Sequence, residues 1–470
     1  MTEVEGDAAH YFDLAGPTGT ARQITCDLAL PESLRAAGMA NARRWSSIYV
    51  CCVFEPLRSP VSCFCQVSPT CMKLLRVIAS VDPATGGPVS GLRAVTPALT
   101  TIGHETEFLT VDAPTDTFLE SWVGRVHALG PVHNRYARTP RLRPWLDKNL
   151  ARYDAVVVHG LWQDLGRTVR AACLERGRPP YFVFPHGMLD PGLRKTYPFR
   201  HVKKWLYWQV IERRVLRDAR AVLFTCEEER RIARLSFPRY QCTEQVITYG
   251  TTMPDTDSAA FTPAWQARCP SATGRRYWLF LGRVHSKKGV DLLLQAYAQV
   301  RQATPENQRQ DFPDLVIAGP CLDEGYLAAL KKIIADAALT PFVHWVGMLT
   351  GDAKWGALHS AEAFVLPSHQ ENFGLAVVES MACGKPVLIS DRVNIWRELS
   401  ADGAALVEPD DAAGVARLLQ RWLNLSRTER DTMASAAVQS FAKRFEISHA
   451  AETFAAQLEG LVNQTTSANQ

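Results

Sequence analysis

Between residues 363 and 386 the sequence reads Ala-Phe-Val-Leu-Pro-Ser-His-Gln-Glu-Asn-Phe-Gly-Leu-Ala-Val-Val-Glu-Ser-Met-Ala-Cys-Gly-Lys-Pro. The apolar run Ala363 to Leu366 turns through Pro367 and Ser368. A second apolar stretch follows and ends on Gly384 and Pro386, the residues that stop a helix. Strand, loop and helix in that order predict a βα unit, which puts the loop at the carboxyl end of a strand, where open α/β sheets hold their ligands.

The helix is expected to open with Asn372, Phe373, Gly374 and Leu375. Its first N–H groups then face the loop unpaired, with the positive end of the helix dipole behind them, and such an end favours a phosphate. Glu379 follows Gly374 by five residues, roughly 7 to 8 Å along the axis, about the separation of a diphosphate from the ribose of a nucleotide. A carboxylate among Val377, Val378, Met381 and Ala382 is costly to bury without donors, and vicinal ribose hydroxyls are good donors. Glu371 precedes the helix, where a sugar on the diphosphate would lie. The plain alternative is a structural βα unit with one capping and one surface Glu.

These residues resemble the Glu-x7-Glu signature of glycosyltransferase family 4, here Glu371 to Glu379, with Phe-Gly-Leu after the first Glu. With the companion motifs below, the resemblance extends from Met72 to about residue 450. It implies an α/β fold of the GT-B type, two Rossmann-like parallel-sheet domains facing a cleft. It also implies a retaining, metal-independent hexosyl transfer of the kind found in bacterial exopolysaccharide and lipopolysaccharide biosynthesis. The co-substrate would be a nucleotide-diphosphate sugar, with no other cofactor and no metal.

Met72-Lys-Leu-Leu-Arg-Val-Ile-Ala-Ser-Val81 predicts the first buried strand, and apolar runs at 106–111, 154–159, 181–184, 221–224 and 245–248 predict more. Strands alternating with helices argue for a parallel sheet covered on both faces, and so for a first domain over 72–250. In the loop after the first strand, Gly86 and Gly87 allow close approach of the backbone to a ligand, and the family uses this loop near the donor phosphate. A plain turn is the competing reading. Two strands end in His-Gly, at His159 and at His186. The family has a His of the first domain facing the donor sugar, and the setting Phe184-Pro-His-Gly-Met-Leu-Asp-Pro191 is similar to that of exopolysaccharide transferases, which favours His186 over His159.

A polar, Pro-rich stretch over 251–274 is expected to link the domains. It contains Asp255-Thr-Asp257, a metal-binding pattern elsewhere, but in a linker rather than at a strand end it reads as chance. The family often has Asn-Gly-Val-Asp near here, whereas this chain has Thr248-Tyr-Gly-Thr-Thr. A second domain over 275–440 opens with Tyr277-Trp-Leu-Phe-Leu-Gly-Arg-Val-His-Ser-Lys-Lys-Gly289. Arg283 and Lys288 flank a short loop before a helix, and two fixed cations there suit a diphosphate; Lys287 is the neighbour of Lys288, which precedes the glycine. The resemblance adds Gly347, Met348 and Leu349 as backbone neighbours of the nucleobase. It also implies a last helix, 441–462, crossing back to the first domain, with a polar tail over 463–470.

The chain's 470 residues suffice for two such domains. Of its 12 cysteines, six fall in the first 71 residues and the others are scattered without CxxC spacing, so neither a metal site nor a structural disulfide is expected. Residues 1–71 lack sustained periodicity and read as a poorly structured extension or the product of a start codon assigned too early. No run of 18 apolar residues occurs, and the acidic start lacks the features of a secretory signal, so a cytoplasmic protein is expected.

Charge is concentrated in one place. Residues 191–220 hold nine Lys or Arg against Glu212 and Asp218, in a chain whose formal charge is +4. Trp205, Trp208, Ile211 and Val215 recur there at helical spacing, so this helix is expected either to lie on an anionic membrane face or to bind a lipid-linked diphosphate acceptor. Packing under the sheet is the alternative. No nucleic-acid motif accompanies the patch. The partners expected are thus a nucleotide-sugar donor, a glycan or polyprenyl-diphosphate-linked acceptor, and the inner face of the plasma membrane. Two rival functions stand beside the transferase: a nucleotide-sugar epimerase of the same fold, and a non-catalytic member of a polysaccharide assembly complex. A dehydrogenase is disfavoured because the first loop lacks GxGxxG.

Overall fold

The computed structural model describes residues 20–21, 47–48, 71–132, 134, 136–192, 198–253 and 259–467. The chain forms two compact units, residues 1–68 and 69–470. In the first, the described residues are two short strands, Thr20–Ala21 and Ser47–Ile48, paired in parallel. The rest of the extension expected over 1–71 lies, apart from Cys71, outside the described residues, as do Asp255 and Asp257.

The second unit contains two parallel sheets. One consists of β1 (Lys73–Val77), β2 (Glu105–Thr110), β3 (Arg125–Ala128), β4 (Ala155–His159), β5 (Tyr181–Phe184), β6 (Ala221–Phe224) and β7 (Glu244–Val246), in the order β3-β2-β1-β4-β5-β6-β7. The other consists of β8 (Tyr277–Leu281), β9 (Asp314–Ala318), β10 (Val343–Gly347), β11 (Ala363–Leu366), β12 (Val387–Ser390) and β13 (Ala405–Glu408), in the order β10-β9-β8-β11-β12-β13. In both sheets the strand order reverses beside the first strand, and at such a switch point the loops diverge to leave a crevice at the carboxyl ends. Central strands such as β8, β9 and β11 are buried along their whole length, as expected of parallel strands covered on both faces. The edge strands β3 and β13 add to those expected from the sequence, and β3 has no apolar run.

Two connections hold the sheets in one unit. The helix Phe261–Arg268 occupies much of the stretch expected as a linker, and its Trp265 packs on Tyr277 of β8 with ring centroids 5.6 Å apart. After the helix Arg427–Arg444, Thr251 N donates to Phe445 O at 2.9 Å, and the last helix, Ile447–Ser467, runs back over the first sheet. Its Ile447, Ala451, Phe454 and Leu458 share a core with Leu74, Val157, Phe182 and Leu223.

The expected aromatic stripe on the basic helix is divided. Pro198–Tyr207 is α-helical, Trp208–Glu212 is a π-helical turn, and Arg213–Asp218 is α-helical again. A π turn adds a residue to the repeat, so the 3.6-residue period does not carry across it. Trp208 and Val215 are buried, Trp208 stacking on Phe237 at 4.9 Å, and Ile211 packs on the same core. Trp205 stays outside with Val202, Leu206 and Val210.

Candidate functional site: the crevice between the sheets

On the second sheet, the loops after β8 and β11 are knitted together. Arg283 is exposed just past β8, and Ser286–Lys288 form a 3-10 turn closed by Gly289 at φ +66°. A Cβ at Gly289 would stand 2.2 Å from Pro367 O, so only glycine lets the turn close over the loop after β11. Lys287 O then accepts from His369 N at 2.8 Å and from Ser368 Oγ at 2.9 Å. The consequence is an ion pair between Lys288 Nζ and Glu371 Oε2, both largely buried. Burial, with the like charges of Arg283 and Lys287, brings the Lys288 ammonium down to about 8, while Glu371 acts in the opposite direction. Lys287 is lowered for the same reasons, with Asp190 opposing.

The helix begins at Leu375, later than expected, because Gly374 adopts the left-handed region at φ +79° and caps it. No side chain occupies that cap. Glu371 Cγ is 3.3 Å from where a Gly374 Cβ would be, so the acid, the helix start and Lys288 form one cluster. Glu379 lies further along the same helix, 2.9 Å from Lys354 Nζ. Lys354 belongs to the helix Gly351–Ser360, and its spacing in the sequence does not reveal this pairing.

Asn372 and Phe373 stand in the loop, and their side chains face the first domain. Asn372 Nδ2 donates to Thr225 Oγ1 at 3.1 Å and its Oδ1 accepts from Asn394 at 3.3 Å; Phe373 packs on Tyr249 and Phe445. Of the three residues expected near a nucleobase, Gly347 ends β10 at φ +67° beside the Arg268 guanidinium and Met348 is exposed, but the Leu349 side chain is in the core. On the first sheet, Gly86 at φ +104° caps the helix Gly87–Thr101 without a side-chain cap, and Cβ atoms at Gly86 and Gly87 would meet nothing within 4 Å.

Two family models divide this part of the chain between them. Residues 86–244 match the glycosyl transferase 4-like domain and residues 262–439 match glycosyl transferases group 1. Each sheet thus lies largely or wholly in a segment that matches a glycosyltransferase domain model. D-inositol 3-phosphate glycosyltransferase of Arthrobacter sp. (strain FB24) is 30% identical over 193 residues, 40% of this chain and 44% of that protein. The Thermomonospora curvata protein of the same name is 30% identical over 235 residues, 47% and 52% of the two chains, so the matched segment spans about half the length of these curated relatives. Among solved structures, Anabaena HepE in complex with UDP and glucose superposes with a TM-score of 0.63 at 18% identity, covering 83% of this chain and 100% of that one. WaaG, a glycosyltransferase involved in lipopolysaccharide biosynthesis, gives 0.57 at 15% identity over 81% and 98%. At these identities the superpositions establish the fold.

In this GT-B fold the two sheets are latched across the crevice. Gln370 Nε2 donates to Asp190 Oδ2 at 2.7 Å while its Oε1 accepts from Lys287 Nζ at 3.1 Å, and Arg397 Nε lies 3.2 Å from Glu228. Asp190 stands in the His-Gly-Met-Leu-Asp segment, and the sequence does not reveal its partner across the crevice. Gly187 comes so close to Asn372 that a Cβ would be 3.0 Å away, at a φ of +74°. Its N–H donates to Glu229 Oε1 at 2.6 Å. That contact carries His186, at φ +51°, to the face of the crevice, where its ring lies against Phe184, His159 and Tyr249. Burial and the Arg76 charge lower His186 to about 3, so it is neutral. Among the described residues, no three His, Cys, Asp or Glu side chains gather as a metal site requires, and the described cysteines are free thiols.

Proposed function

We propose that this protein transfers a hexose, with retention, from a nucleotide-diphosphate sugar to a glycan or lipid-linked acceptor in cell-surface polysaccharide assembly. The observation that supports it is the single cluster of Arg283, Lys288, Glu371 and the open start of the helix at Leu375, with Glu379 further along that helix. The two cations and the helix N–H groups would hold the diphosphate and stabilise its charge as it departs. Glu379 would accept from the ribose hydroxyls, exchanging its contact with Lys354 for them. Glu371 would turn from Lys288 toward the sugar, and His186 would meet that sugar from the facing domain. The bond from the anomeric carbon to the diphosphate breaks and one to an acceptor oxygen forms on the same face. The acceptor proton passes to the leaving phosphate, and no metal is needed.

The complexes of HepE with UDP and with UDP-glucose make a uridine donor the first to test. Thermal-shift titration with UDP, GDP and ADP and their sugars should show stabilisation by one nucleotide class. Turnover of that sugar should be lost in the Lys288→Ala, Glu371→Ala double variant. Stabilisation by none of them would overturn the donor reading.

The exposed side chains Val202, Trp205, Leu206 and Val210, beside Lys203, Arg214 and Arg217, support peripheral docking on an anionic membrane face. No helix among the described residues is long and apolar enough to cross a membrane. The protein should cosediment with phosphatidylserine vesicles at low salt and be released at high salt. Failure to cosediment at low salt, or retention after the wash, contradicts an electrostatic contact.

A further inference from the structure

Behind His186 lies a buried cation. Arg76, on β1, is 1% exposed, and its Nε and Nη2 have no hydrogen-bond partner among the described residues. An unpaired guanidinium costs several kcal/mol to bury. What offsets that cost is the Phe454 ring, 4.7 Å below the guanidinium on the returning helix Ile447–Ser467, and one hydrogen bond: Arg76 Nη1 lies 3.4 Å from His159 Nε2. His159, 2% exposed at the end of β4, has its other ring nitrogen, Nδ1, 3.0 Å from His186 Nε2. The two imidazole planes are within 16° of parallel.

Donor and acceptor roles along this chain follow from its first member. A guanidinium has donors and no acceptor, so His159 Nε2 must accept. A neutral imidazole has one N–H, which then sits on His159 Nδ1 and donates to His186 Nε2. His186 is left with its own hydrogen on Nδ1, the nitrogen not used in the contact with His159. Both imidazoles are held neutral by burial and by the Arg76 charge. The other titratable groups nearby are Tyr249, stacked on His186, and Glu229, bound to the Gly187 N–H.

We propose that Arg76 and His159 are positioning residues that fix His186 as the Nδ1–H tautomer, a neutral hydrogen-bond donor. The hydroxyl or carbonyl oxygen of a bound sugar is the acceptor that such a group recognises. In this role His186 cannot take a proton at Nε2, so it does not serve as a general base through that nitrogen. The assignment deepens the glycosyltransferase reading and rests on it for the sugar, but the tautomer itself is a property of the unliganded protein.

The test is the nitrogen-15 spectrum of the full chain labelled at histidine, without donor, with His186 assigned by the signals lost in His186→Gln. His186 should show a protonated Nδ1 and an unprotonated Nε2 between pH 6 and 8. The pattern should persist in Arg76→Lys, which still only donates, and shift toward Nε2–H in Arg76→Met and in His159→Phe, which keeps the stacked ring. Sugar turnover should fall about tenfold in Arg76→Met while nucleotide affinity is unchanged, the loss of one hydrogen bond in the transition state. Wild-type His186 found as the Nε2–H tautomer or as imidazolium at neutral pH would overturn the proposal, and so would a tautomer indifferent to Arg76→Met. The wild-type measurement stands even if a variant fails to fold. A protein with the expected tautomer that binds no nucleotide sugar refutes the donor reading and leaves the relay intact.

Discussion

Lys288 Nζ is in ionic contact with Glu371 Oε2, so the cation suited to a diphosphate and the acid suited to its sugar neutralise each other before either meets a ligand. A bound diphosphate takes over the lysine and frees the carboxylate. The lysine is brought down to about 8 in the free protein, and an anion beside it raises it again. Binding above pH 8 therefore takes up a proton, and affinity for the donor nucleotide should fall as pH rises from about 8 toward 10. Calorimetry in buffers of different ionisation enthalpy should register that uptake. Lys288→Ala should weaken binding by roughly 10- to 150-fold, equivalent to about 1.5–3 kcal/mol for a charge-assisted bond, and abolish the pH dependence.

Glu379 and Lys354 form the second pair that a ligand is expected to divide. Glu379→Ala should lower affinity for a ribonucleotide about tenfold, as loss of one hydrogen-bonded contact does. It should affect the 2′-deoxy and ribo forms unequally. Lys354→Met should tighten neither. Calorimetric titration of the two nucleotides against each variant is the measurement, and equal losses for ribo and deoxy forms would remove Glu379 from the pentose.

Trp205 and Trp208 sit three residues apart on one helix, yet only one belongs to the core. Trp208→Ala should destabilise by about 3–5 kcal/mol, the cost of emptying a buried aromatic site. Trp205→Ala should leave stability within about 0.5 kcal/mol, as exposed substitutions do, while weakening vesicle binding. Chemical denaturation of both variants separates them.

Glu212 is buried in the π-helical turn, accepts from Trp162 N at 3.2 Å, and is pushed up to about 8 by burial. Between its ordinary value near 4.3 and 8 the unfolded chain holds the group ionised while the folded chain holds it protonated. The folded state then binds more protons, and its stability falls as pH rises through that window. Glu212→Gln keeps an acceptor for Trp162 and removes the titration. It should raise stability by about 1–3 kcal/mol at pH 8 and change it little near pH 5, read as the difference in unfolding midpoints.

Much of this fold was legible because the relevant signals are local. Runs such as Tyr277–Leu281 and Ala363–Leu366 are buried strands by their composition alone, and Gly289 and Gly384 mark turns that other residues would strain. Reading failed where the local period was broken or weak. The π turn at Trp208–Glu212 shifts the phase of the residues after it, Gly374 delays the helix to Leu375, and the edge strand Arg125–Ala128 lacks an apolar run.

By itself the sequence determined the two alternating strand and helix series, the glycine-closed loops at strand ends, and the spacing of Glu371 in a loop to Glu379 in the helix that follows it, since each depends on neighbours within a few residues. Only the tertiary structure decided the partners: Lys288 with Glu371, Lys354 with Glu379, Asp190 with Gln370, and Arg76 with His159 and His186. These groups come from different strands, helices and loops, and Asp190 and Gln370 come from loops on opposite sheets. Their meeting depends on strand order and on how the returning helix seats one sheet against the other, which no local period encodes.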